Sequence, residues 1–175
     1  MKPISGWESV EAQGNEEYKR LVPGGYVCRI TKVEDNPEKQ YLYLEFDIAD
    51  GEYTGYGASC LERNGFTPLR MYRSYTDKSL GMFKGFIQAV EQSNTNFAFD
   101  WNEQKLVGRM VGVVLGEEEY KKQTGEVGTR WNARTKTVGA IREGKFKVPE
   151  KKLLPQEQNT APGFTPVDDS EELPF

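Results

Sequence analysis

The chain has 175 residues, 37% of them hydrophobic and 29% charged, with 18 glycines and 9 prolines, a composition that suits one turn-rich domain with extensions. Histidine is absent, and the two cysteines, Cys28 and Cys60, lack CxxC spacing. That excludes a His-based triad, argues against a structural zinc site and leaves no cofactor to expect. A carboxylate-bound magnesium stays open, although no tight acidic constellation suggests one. No apolar run approaches 18 residues and no basic-apolar leader opens the chain, so a cytoplasmic protein with reduced cysteines is expected.

The net charge of -4 conceals an asymmetry. From Ala161 onward Asp168, Asp169, Glu171 and Glu172 stand without a single base, so the remaining acids and bases cancel. Between Tyr120 and Lys152, ten bases face only three acids. A cationic stretch and an anionic end on one chain point to a polyanionic ligand and a separate contact for the tail.

Residues 1–22 are polar, with Trp7 and Tyr18 as anchors, and read as an N-terminal arm. Pro23-Gly24-Gly25 signals a turn, Tyr26 to Val33 is β-rich, Asp35-Asn36-Pro37 breaks it, and Tyr41 to Ile48 resumes it. In that second run Leu42, Leu44, Phe46 and Ile48 alternate with Tyr41, Tyr43, Glu45 and Asp47, which predicts a hairpin with a core face and a tyrosine face. A Gly-rich connection leads to a third strand over Leu69 to Tyr75. Thr76 is then a candidate N-cap for a helix whose stripe is Leu80, Phe83, Ile87 and Val90, with Phe86 also expected in the core. "LVGRMVGVVLGEEEY" reads as a buried fourth strand, "KKQTGEVG" as a loop, and "TRWNARTKTVGAIREGKF" as a fifth strand with its continuation. The domain is expected to span 23–148, and the Pro-rich, polar residues 149–175 to form a disordered linker and tip.

Three strands, a helix and two further strands is the element order of the five-stranded OB-fold barrel, a mainly β class. Its ligand face lies on strands two and three and on the loops joining strands one to two and four to five. Those places carry Tyr41, Tyr43, Arg70, Tyr72, Tyr120, Lys121, Lys122, Arg130, Trp131 and Arg134. Single-stranded nucleic acid needs a positive groove for its phosphates and flat rings for its unstacked bases, and this set supplies both. Two readings stay open for Trp131, base-stacking or core, because Arg130, Asn132, Arg134 and Lys136 share the opposite strand face. Tyr41 and Tyr43 suit the solvent side of any strand, and the bases suit an ordinary solvated surface beside Glu117, Glu118 and Glu119.

The segments "GGYVCRITKVED", "QYLYLEFDIADGEYTGY" and "VGRMVGVVLGEEEY", with the terminal "DDSEELPF", resemble the OB-fold single-stranded DNA-binding proteins encoded by phages and mobile elements of Gram-positive bacteria. The likeness covers about Pro23 to Phe146 and the last eight residues, the tip being that of bacterial single-stranded DNA-binding proteins. It implies that Phe175 enters an apolar pocket on a partner, its carboxylate meeting an Arg or Lys. Pro174, Leu173 and the four acids would lie along that partner's basic surface. Implied partners are replication, recombination and repair proteins. The acids are split by Ser170, and Leu173 stands where the family has an acid or Ile. The expected function is therefore non-enzymatic: holding and protecting single strands of DNA, and recruiting processing enzymes. A protein-binding adaptor that contacts DNA only incidentally is the alternative. RNA, self-association as a homo-oligomer and site size are not distinguished by these residues.

Overall fold

A computed structural model describes residues 2–9 and 19–155. Its centre is one antiparallel sheet of five strands, β1 (Gly24–Asn36), β2 (Tyr41–Ile48), β3 (Arg70–Ser74), β4 (Met110–Lys121) and β5 (Val127–Lys136). Helix α1 (Tyr56–Asn64) lies between β2 and β3, α2 (Leu80–Ser93) between β3 and β4, and a short α3 (Val138–Arg142) follows β5. Among the described residues no helix is long and apolar enough to cross a membrane.

The period-two pattern of β2 folds as its sequence predicts. Leu42, Leu44, Phe46 and Ile48 are all buried, while Tyr41, Tyr43 and Glu45 are half-buried on the other face. β1 pairs with β2 from Cys28↔Ile48 to Asn36↔Tyr41, with a bulge between Ile30 and Lys32. The bulge resets the alternation, so that Cys28, Ile30 and Val33 all enter one core. α2 covers that face with Phe83, Phe86, Ala89 and Val90. Phe83, Phe86 and Val90 each contribute roughly 1.5–3 kcal/mol when fully buried, which makes this contact the main tie between helix and sheet. The expected stripe is rotated: Leu80 is exposed and Phe86 occupies the centre. Thr76 precedes a 3-10 turn, Asp77–Ser79, and makes no capping bond with its side chain.

On the opposite face, α3 covers β1 and β4. There Val27 and Val114 pack with Val138 and Ile141 of α3. Thr137 starts that helix, its Oγ1 accepting from the Ala140 amide at 3.1 Å, and so ends β5 where a continuous strand was expected. The chain then returns over the sheet. Lys152 bridges to Glu118 in parallel, its N–H donating to Glu117 O at 3.0 Å while its carbonyl accepts from Glu119 N at 2.8 Å. Pro149 lies over Gly116, where a Cβ would come within 2.4 Å of its ring. Residues 149–154 therefore run along β4 just past the point where β1 stops pairing.

The ladder order is β3-β2-β1-β4-β5, and the sheet is open. The five strands expected from the sequence form the sheet, but it is not closed into a barrel, because no backbone ladder joins β3 to β5. A side chain spans the gap instead: Arg73 of β3 donates from Nη2 to the Ala133 carbonyl of β5 at 3.0 Å.

Candidate nucleic-acid interface

The face of β2 and β3 that the described residues leave uncovered presents three tyrosines. Tyr43 pairs with Tyr72 across the strands, and the Tyr72 ring sits 5.3 Å from that of Tyr41 and 5.2 Å from that of Tyr43. Tyr72 is 57% exposed although rings flank it on two sides. Lys32 places its ammonium 5.8 Å from the Tyr43 ring, and Tyr43 donates to Glu45 Oε1 at 2.8 Å. Burial and that bond raise the Tyr43 pKa above the phenol's ordinary value, so the hydroxyl stays protonated. Glu34, Asp35 and Asn36 join Tyr41, Tyr43 and Tyr72 around a hollow of about 270 Å3.

Tyr72 also belongs to a larger groove of about 600 Å3 between the two open edges of the sheet. Arg70, Tyr72 and Arg73 form its β3 wall; Tyr120, Arg130 and Trp131 form the wall from β4 and β5. Arg130 stacks its guanidinium 5.4 Å from the Tyr120 ring centre. Trp131 is half-buried: it packs against the core and also lines the groove. Arg73 lies over Phe86 at 5.8 Å, and burial lowers its pKa to about 10, which leaves it charged at neutral pH.

The acid run of β4 is answered cation by cation. Arg130 Nη2 meets Glu118 at 2.5 Å, Lys151 meets Glu119 at 3.6 Å, and Arg20 meets Glu117 at 3.9 Å. Three carboxylates that would repel a phosphate chain are thereby offset by bases from three separate segments. Hydrogen bonds from Asn132 and then Arg130 hold the Glu118 carboxyl below the usual carboxylate range.

Five of the residues singled out in the sequence, Arg70, Tyr72, Tyr120, Arg130 and Trp131, thus line one groove, and Tyr41 and Tyr43 adjoin it through Tyr72. Lys121 and Lys122 are exposed at the β4–β5 hairpin, with Lys122 3.9 Å from Glu126. Arg134 is exposed further along β5, opposite Val114, and does not line the groove. Asp168, Asp169, Glu171, Glu172, Leu173, Pro174 and Phe175 lie outside the described residues. Sequence reasoning missed Phe66, Pro68 and Arg73 as lining residues. A signal for Arg73 existed, since the parity that buries Met71 carries Arg73 to the same side, where a charge needs an acceptor. The chain matches no model of a known protein family and no curated protein.

Proposed function

We propose that this protein binds single-stranded DNA along the groove between β3 and β5 and across the tyrosine face, largely without regard to sequence. One observation carries the reading: rings and guanidinium groups line two adjoining hollows that share Tyr72, one with Trp131, Arg130 and Arg70 and the other with Tyr43 and Tyr41. Bases stacked on such rings contribute roughly 1–3 kcal/mol each, whatever their identity, and a duplex cannot offer those faces. The ladder order, with α2 between β3 and β4, supports the finer assignment to a partly open OB barrel, whose ligand face is this one. No chemical step and no cofactor is needed. The anionic tip, ending in Leu173, Pro174 and Phe175, is the part suited to recruiting replication, recombination or repair proteins in the cytoplasm of a bacterial or phage-infected cell.

A titration with poly-dT, followed by tryptophan fluorescence, tests this. Trp7 and Trp101 are 75% and 82% exposed and lie outside the groove lining, so quenching that disappears in Trp131→Phe would locate the strand at β5. Log affinity should fall against log salt with a slope of roughly -0.7 per phosphate neutralised. A flat salt response, or no quenching with DNA, favours the adaptor reading.

A further inference from the structure

A second hollow opens off the same groove. It shares Phe66, Arg130 and Trp131 with it, holds about 340 Å3, and extends to α1, where Tyr56 and Asn64 line it together with Glu117 of β4. Its α1 wall is fixed: Asp47 Oδ1 accepts from Gly57 N at 2.6 Å and Oδ2 from Ala58 N at 3.1 Å, tying the first turn of the helix to β2. The Glu117 side chain is 19% exposed, and its cation Arg20 stands at 3.9 Å, within ion-pair range but too far for a hydrogen bond. Glu117 thus lines a cavity that Tyr56, Phe66 and Trp131 wall with rings and that Arg20 also lines, and its carboxylate offers two acceptor oxygens side by side.

The four bases differ in what they can offer such a pair. Guanine alone carries two adjacent donors, N1–H and the N2 amine, on one edge, and that edge is accessible only when the base is unpaired. Thymine presents one N–H between two carbonyl oxygens. Cytosine and adenine present an amine beside an acceptor nitrogen, which repels the second carboxylate oxygen. Bidentate contacts are the ones that discriminate between bases.

We infer that this hollow is a subsite for one unstacked guanine of the bound strand, with Glu117 reading its N1–H and N2 edge and Trp131 and Phe66 covering the ring. The inference rests on the single-strand reading above and adds one base-selective position to an otherwise tolerant track. Three oligonucleotides test it on the full chain by fluorescence anisotropy: all-dT, the same with one central dG, and the same with deoxyinosine there, which lacks the N2 amine. The dG strand should bind about tenfold tighter than all-dT. Deoxyinosine should lose most of that gain, and Glu117→Gln, with only one acceptor, should bring the dG-to-dT ratio close to one. Equal binding of dG and dT strands, full retention of the gain by deoxyinosine, or a preference that survives in Glu117→Gln would overturn the subsite and leave the groove standing. Failure to bind any of the three would overturn the single-strand reading itself, and the subsite with it.

Discussion

Arg130 lies against Glu118 at 2.5 Å and over the ring of Tyr120, so a phosphate entering the groove competes with a carboxylate for a cation already in place. Glu118→Gln should release that cation, tighten poly-dT binding severalfold and steepen the salt slope by roughly 0.7, a change that parallel titrations at several salt concentrations would read. The same substitution has a pH signature. The folded pKa of Glu118 is depressed, so the stability it contributes is complete above its unfolded value near 4.5 and is lost as pH falls through the folded value. Thermal melts of Glu118→Gln should start from a lower plateau at neutral pH and decline less between neutrality and pH 3. Tyr72 and Trp131 separate stacking from packing. Tyr72→Ala, at an exposed ring, should cost about 1–3 kcal/mol of DNA affinity with the melting temperature nearly unchanged. Trp131→Ala should lower both, because its ring also packs against the core.

At the level of elements, α1 depends on a carboxylate from another strand. Asp47 accepts from the amides of Gly57 and Ala58 as well as from Ile48 N at 2.8 Å, replacing the side-chain cap that Gly55 cannot supply. Asp47→Ala should destabilise the protein by roughly 2–3 kcal/mol in urea denaturation, since charged hydrogen bonds are lost and helical amides are left open. This helix also marks the limit of what was legible beforehand. β2 announced its inward residues because a sheet buried on one face must alternate, and Leu42 to Ile48 do so without exception. α1 sits in the Gly-rich connection, where the sequence carries no long apolar stripe. Its ends are Gly55 and Gly65, both at positive φ, and its cap lies ten residues back on β2, so nothing local signals a start. α3 lies in what the sequence offers as the continuation of the fifth strand for a related reason: Val138 and Ile141 are β-formers, and the Thr137 cap and the apolar patch of Val27 and Val114 favour a turn of helix. The groove was half legible. The tyrosines and arginines follow from strand parity, whereas Phe66 and Pro68 come from the connection leading into β3, which no periodicity governs.

For the molecule as a whole, charge and coverage act together. α3 and the returning chain cover β1 and β4, and the tyrosine face of β2 and β3 is left uncovered among the described residues. The body is neutral overall, and the four acids beyond Ala161 account for the net charge. On the single-strand proposal, those acids compete with DNA for the same Lys and Arg side chains. Deleting Asp168 to Phe175 should therefore tighten binding modestly at low salt and leave it unchanged at high salt, as screening predicts, in anisotropy titrations at both conditions.

Where that deletion begins matters, because the stretch around Lys152 is fastened to Glu117 and Glu119 by two main-chain bonds and rests on Gly116. Shortening the protein to its fifth strand and third helix would strip a zipper from β4. The amide of Glu119 and the carbonyl of Glu117 would then be bare on an open strand edge, an invitation for a neighbouring molecule to dock edge to edge. A body trimmed at residue 148 should accordingly clump or pair in solution where one trimmed at 155 stays dispersed.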